Sequence, residues 1–166
     1  MIAKKNPNLD IIIQDLPAVE AAFNTNIAST GLATQLRFHG HNFFEPQDIT
    51  ADVFIIKTVL HDWSDKYVIQ IMQNLLPGLK NGTHILIFDI IVPPDYDENG
   101  KPSMPLSARR TIAAVDIHMH IMCNAKERKA EDWIEVIKRA DPRFELVAIH
   151  TISGTPTGLL DFVFRE

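Results

Sequence analysis

His61 lies in the phrase Leu60-His61-Asp62-Trp63-Ser64-Asp65, just after the apolar run Val53-Phe54-Ile55-Ile56-Lys57. A β-branched run of this kind reads as a buried strand. In open α/β sheets ligands bind beyond the carboxyl ends of the strands, so His61 is placed like a working group. An imidazole ionises near pH ~6.5 and can take a proton at neutral pH. A lone histidine at a strand end is more often structural than catalytic, and two acids elsewhere make the catalytic case. Asp89 interrupts an otherwise apolar stretch, where an unpaired carboxylate would be costly. Glu127, in Asn124-Ala125-Lys126-Glu127-Arg128, sits in the connection before a later helix. Together the two acids can orient an imidazole and stabilise its protonated form, as the carboxylate of a catalytic triad does.

Other residues suggest a nucleotide-like ligand. Asp15 ends an early strand, where an acid commonly accepts hydrogen bonds from ribose hydroxyls. The plainer alternative is a helix-capping Asp ahead of Pro17. A glycine-rich loop should accompany such an acid about 20 residues upstream, yet the first glycine in the chain is Gly31. Gly40-His41-Asn42-Phe43-Phe44 follows the next strand. Asn42 can bond an adenine edge and Phe43 can cover its face, or the segment is a turn followed by core aromatics. The series Asp116-Ile117-His118-Met119-His120 invites a metal, but on a helix only Asp116 and His120 share a face. That is too few ligands, so no metal site is expected.

The elements that must position these groups alternate between strand and helix. Strands are expected over 9–13, 36–39, 52–57, 84–92, 144–152 and 160–165. Helices are expected over 18–23, 67–79, 108–122 and 131–140. Asp65 reads as the N-cap of the second helix. In the third, Ile112, Val115, Met119 and Met122 share a side that is either core or the wall of an apolar pocket. The stretch 95–105, rich in Pro, Gly, Asp and Asn, reads as a surface loop. The alternation indicates a mostly parallel α/β sheet. The last two strands are joined through Ser153-Gly154-Thr155-Pro156-Thr157-Gly158, too short for a crossover helix, and should pair antiparallel.

Composition bounds the partners. The chain has 166 residues, 46% hydrophobic and 22% charged, with a net charge of −5. It is long enough to bury a core and carries no basic stripe, which argues against nucleic-acid or membrane-surface binding. Cys123 is the only cysteine, so an intramolecular disulfide is impossible and a reducing compartment is the simpler reading. No apolar stretch approaches the ~20 residues that span a bilayer, and the start lacks a signal-peptide core. A cytoplasmic location is expected.

Three segments taken together carry a family resemblance: Phe54-Ile55-Ile56-Lys57 with His61-Asp62-Trp63-Ser64-Asp65, the strand with Asp89, and Asn124-Ala125-Lys126-Glu127-Arg128. They resemble the S-adenosylmethionine-dependent O-methyltransferases of the plant and fungal small-molecule class, the fungal secondary-metabolite branch above all. The likeness extends over almost the whole chain. It implies a Rossmann-like methyltransferase sheet, mostly parallel with an antiparallel C-terminal strand pair, and S-adenosyl-L-methionine as cofactor. By the same likeness His61 is the general base and Asp89 and Glu127 are its acidic partners. Asp15 holds the cofactor ribose, Asn42 and Phe43 address adenine, and Lys57 lies on the cofactor side. Met119 and Asn124 confine a hydroxylated aromatic acceptor. Relatives often carry Asp where Asn42 stands, and plant relatives often Glu where Asp89 stands. The shorter Asp89 should therefore reach His61 over a longer distance.

The resemblance also implies parts that are not seen here: an N-terminal dimerisation domain, the first sheet strand and the glycine-rich loop. The expectation is a single truncated catalytic domain over 1–166, with the absent strand belonging between strands 9–13 and 52–57. Those two strands would either pair directly or leave a gap that another chain could fill. Methyl transfer to a phenol-like hydroxyl is the preferred reading. The alternative is an inactive or non-catalytic fragment that needs a partner chain, with weak donor binding and a tendency to self-associate. A nicotinamide-dependent enzyme would share the logic of Asp15 but leave His61 and Glu127 unexplained.

Overall fold

A computed structural model describes residues 2–151 and 155–166. They fall into two compact units, 1–47 and 48–166, each described separately here.

The first unit holds a short helix α1 (Ile2–Lys5), strand β1 (Ile11–Asp15), helix α2 (Glu20–Ala28) and strand β2 (Leu36–Gly40). Pro17 opens a single 3-10 turn that leads into α2, where its fixed φ suits a first helical position. β1 and β2 pair in parallel, with Asp15 opposite Gly40. The backbone N–H of His41 extends the ladder by donating to the Asp15 carbonyl at 2.8 Å. The carboxyl end of β1 and the loop after β2 are thereby fixed side by side.

The second unit contains β3 (Val53–Lys57), α3 (Asp65–Leu75), β4 (His84–Val92), α4 (Leu106–Cys123), β5 (Arg128–Lys129), α5 (Ala130–Ala140), β6 (Phe144–Thr151) and β7 (Thr157–Phe164). Its sheet runs β3-β4-β7-β6, with β5 beside the end of β4. β3 and β5 lie parallel to β4, while β7 runs antiparallel to both β4 and β6. The architecture is the α/β sheet expected, parallel at its start and antiparallel at its C-terminal pair. Of the expected link and strand end, Ile152, Ser153 and Gly154 lie outside the described residues.

β4 alternates between buried and half-buried positions along its whole length. The buried set is Ile85, Ile87, Asp89 and Ile91, so Asp89 points to the same side as the core isoleucines. Val68, Ile71, Met72 and Leu75 of α3 and Trp133, Val136, Ile137 and Ala140 of α5 supply the helical share of the buried residues. At a transfer value of about 25 cal/mol per Å² these apolar side chains dominate the unit's stability. The indole N–H of Trp133 donates to the Ile90 carbonyl at 3.0 Å, tying α5 to β4.

Three local expectations are corrected. Ser64, not Asp65, occupies the N-cap of α3. Asp65 is the first helical residue, and its carboxylate is engaged by Arg128 and Lys126. α3 ends at Leu75, because Pro77 lacks the N–H needed to continue and residues Leu76–Gly78 tighten into a 3-10 turn. None of the residues of α4 is buried. Ile112, Val115 and Met119 are half-buried, but Met122 is 67% exposed, so the expected apolar side does not extend to the helix end.

Candidate active site

The site is built past the carboxyl end of β3, beside the second half of β4 and just ahead of β5. Thr58 follows β3 with φ of +52°, a left-handed conformation unusual for a β-branched residue. Its backbone N–H donates to the Phe88 carbonyl at 2.9 Å. The chain then closes a 3-10 turn, Leu60–Asp62, whose middle residue is His61. The side chain of His61 is only 14% exposed.

Three carboxylates surround the imidazole. Glu127 Oε1 lies 3.2 Å from Nδ1. Asp89 Oδ1 is 3.7 Å from the same nitrogen, a longer contact as its shorter side chain requires. Asp89 also accepts the backbone N–H of His61 through Oδ2 at 3.3 Å and that of Ile90 through Oδ1 at 2.9 Å. On the other side of the ring, Asp62 Oδ1 is 3.5 Å from Nε2. With Glu127 ionised, its oxygen can only accept, and the neutral ring then carries its proton on Nδ1 and its lone pair on Nε2.

Burial pushes the carboxyl groups of Glu127 and Asp89 above their ordinary range, against the opposing pull of His61. Each of the two side chains is 1% exposed. Glu127 Oε2 is buried and has no hydrogen-bond partner among the described residues. Burial favours the neutral acids and a charged His61 favours the carboxylates, so the protonation of the two acids is linked to that of the imidazole.

The supporting residues come from two helices and the short β5. Asp116 on α4 accepts the backbone N–H of Glu127 at 2.8 Å. Arg128, fully buried, donates to the carbonyls of Leu60 and Trp63 and to Asp65. Sequence reasoning gave neither residue a role. Arg128 adjoins Glu127 in a phrase already singled out, but an arginine in a charged run reads first as solvated.

The other expected residues occupy separate places. Asp15 is exposed at the carboxyl end of β1, with Oδ1 accepting the N–H of Leu16 at 2.7 Å. Asn42 Oδ1 accepts the N–H of Phe44 at 3.1 Å, closing a local turn. Phe43 is 38% exposed and meets Phe44 edge-on. An exposed acid beside a loop with a partly exposed ring offers donors and acceptors of the kind that a nucleoside can use. Lys57 is exposed at the end of β3, its Nζ 5.7 Å from the centre of the Phe88 ring. Met119 is half-buried on α4. Asn124 ends that helix at φ +51°, a left-handed position that asparagine tolerates well.

Comparison with known proteins identifies the family and the fold. The grayanic acid biosynthesis cluster O-methyltransferase of Cladonia grayi is 36% identical over 165 residues, covering 99% of this chain and 35% of that protein. The O-methyltransferase PaMT of Phomopsis amygdali is 32% identical over 164 residues, covering 99% and 37%. The chain thus spans little more than a third of the length of these relatives. Among solved structures, LaPhzM superposes with a TM-score of 0.82 at 22% identity, over 98% of this chain and 45% of that one. LepI, solved in complex with SAM, gives a TM-score of 0.78 at 25% identity, over 99% and 39%. The family model for the O-methyltransferase domain matches residues 1–142. The chain belongs to the O-methyltransferase domain family.

Proposed function

We propose that this chain takes part in transferring a methyl group from S-adenosylmethionine to a hydroxyl of a small aromatic acceptor, with His61 as general base. The observation that carries the proposal is the 3.2 Å contact between His61 Nδ1 and Glu127 Oε1, which with Glu127 ionised supports Nε2 as the basic atom. A bound sulfonium donor supplies an electrophilic methyl group. Nε2 takes the hydroxyl proton as the acceptor oxygen bonds to the methyl carbon and the carbon–sulfur bond breaks. A free phenol ionises near pH ~10, so proton removal must accompany bond formation. Glu127 and Asp89 then stabilise the imidazolium, which offsets the cost of their own burial. Asp62 Oδ1, 3.5 Å from Nε2, adds a further carboxylate beside the ring.

Asp15 accepts from the donor's ribose hydroxyls, and Phe43 covers its adenine. Asn42 Oδ1, already holding one N–H, keeps a second lone pair for the adenine amino group. Lys57 lies on the donor side, and Met119 and Asn124 bound the acceptor. A hydroxylated aromatic acceptor accords with the 2-hydroxy-5-methyl naphthoic acid bound to NcsB1, a fold relative at 18% identity. A cytoplasmic site of action accords with the single cysteine. The test is turnover with S-adenosylmethionine and a panel of phenols, comparing the chain with His61→Ala. Equal turnover by the two would remove His61 from the mechanism.

A second reading, favoured by one observation, is that the chain works only with another polypeptide. Among the described residues β3 is hydrogen-bonded to β4 alone, and Val53 and Ile55 on it are 45% and 55% exposed. An apolar strand paired on one side is a template for a further strand. Donor titration separates the readings, since a self-sufficient catalyst binds the methyl donor unaided.

A further inference from the structure

We propose that Arg128, together with Asp65, is a positioning residue that holds the turn carrying His61 in register with its acidic partners. The inference rests on the role of His61 proposed above. The side chain of Arg128 is 0% exposed. Nη1 donates to the Leu60 carbonyl at 3.3 Å and Nη2 to the Trp63 carbonyl at 2.8 Å. These two carbonyls bracket His61 and Asp62, so one guanidinium grips the backbone on both sides of the base. Nε and Nη2 both donate to Asp65 Oδ1, at 3.1 and 2.8 Å. The remaining face of the guanidinium lies 4.8 Å from the centre of the Trp133 ring, a cation–π contact in a water-poor setting.

The geometry links backbone and ring placement through adjacent residues. Glu127 sets the imidazole through Nδ1, and Arg128, the next residue, sets the turn beneath it. Arg128 is itself anchored by pairing with Ile91 of β4, two positions beyond Asp89. The three groups that touch the His61 turn therefore share the ends of two paired strands. Only a planar fork with several donors can serve two carbonyls and a carboxylate at once. A lysine ammonium at this depth cannot reproduce that pattern. Burying a charge for stability alone is poorly rewarded, since an apolar replacement for a buried ion pair is often neutral or better.

The test uses the whole chain with ¹⁵N-labelled histidine. His61 ring signals are assigned by their loss in His61→Gln. In the unsubstituted chain the ring should be the Nδ1–H form, with a slowly exchanging Nδ1 proton. In Arg128→Lys that proton should exchange at least tenfold faster, and the ring should show a mixture of tautomers. Asp65→Asn, which keeps both carbonyl contacts, should fold more readily and shift the same signals in the same direction by less. Where methyl transfer is measurable, kcat in both variants should fall with donor KM unchanged, by up to about 10²-fold for misplacement near 1 Å. His61 signals identical to the unsubstituted chain in either folded variant would overturn the proposal. Absence of methyl transfer in every sample would count against the functional reading alone, because the ring signals report the clamp without turnover.

Discussion

Asp116 Oδ1 accepts the backbone N–H of Glu127 at 2.8 Å, so helix α4 fixes the acid that fixes His61. The same carboxylate is one of the charges that raise the Glu127 pKa, behind burial as the main cause. A helix side chain thus does two things at once: it sets the position of Glu127 and makes its ionisation harder. Asp116→Ala leaves a largely buried N–H without its acceptor, a loss worth about 1–3 kcal/mol. Asp116→Asn keeps an oxygen acceptor and should cost much less. Chemical denaturation of the two variants checks this, and equal losses would deny the hydrogen bond its role.

The raised pKa of Glu127 makes a prediction about pH. A group whose folded pKa is raised contributes stability that is fully present below its unfolded value and is lost as pH rises through the folded one. Glu127→Gln keeps the shape and removes the titration. The unsubstituted chain should therefore lose stability relative to Glu127→Gln as pH rises above the ordinary glutamate range. The loss approaches about 1.4 kcal/mol per pH unit where the folded carboxyl alone keeps its proton. Denaturation midpoints between pH 4 and 8, repeated with His61→Gln in both chains, remove the contribution of the imidazole charge. A stability difference that stays flat across that range would mean that burial does not raise this pKa.

Thr58 offers a test of strain. Its φ of +52° costs a β-branched residue conformational energy that glycine avoids. Thr58→Gly and Thr58→Ala both delete the side chain beyond Cβ, and only the first relieves the backbone. Thr58→Gly should therefore be more stable than Thr58→Ala by about 1 kcal/mol. Thermal melts of the two suffice, and the reverse order would show that the left-handed turn is not strained.

Much of this was legible in the residues themselves. β4 was expected over 84–92 and observed as His84–Val92, because its run is apolar save for Asp89 and Pro93 ends it. The convergence of His61 with Asp89 and Glu127 was legible because an acid in an apolar strand must have a partner. The supporting contacts were not. Arg128 carries a charge, and neither periodicity nor propensity signals that a charge is wholly enclosed by carbonyls from another segment. The N-cap differs from the expected one: Ser64-Asp65 offers two capping residues, and the structure has Ser64 at the cap while Asp65 pairs with Arg128. The exposure of Ile117, Ile121 and Met122 on α4 also lay beyond sequence reasoning. Periodicity gives the stripe on a helix but not what, if anything, covers it.

The edge of β3 gives the last prediction. Among the described residues the strand is hydrogen-bonded on one side only, and Val53 and Ile55 are exposed along it, with Lys57 at its end as the one charge on that strand. Two copies of such a strand can pair about a two-fold axis and satisfy each other's backbone groups. The purified chain should accordingly show concentration-dependent association in sedimentation velocity. Ile55→Lys places a charge on the exposed side of the strand without touching the buried set of β4, and should shift the population toward monomer. Monomer at every concentration, with Ile55→Lys indistinguishable from the unsubstituted chain, would show that this edge does not recruit a strand and would leave the self-sufficient reading of the site as the simpler one.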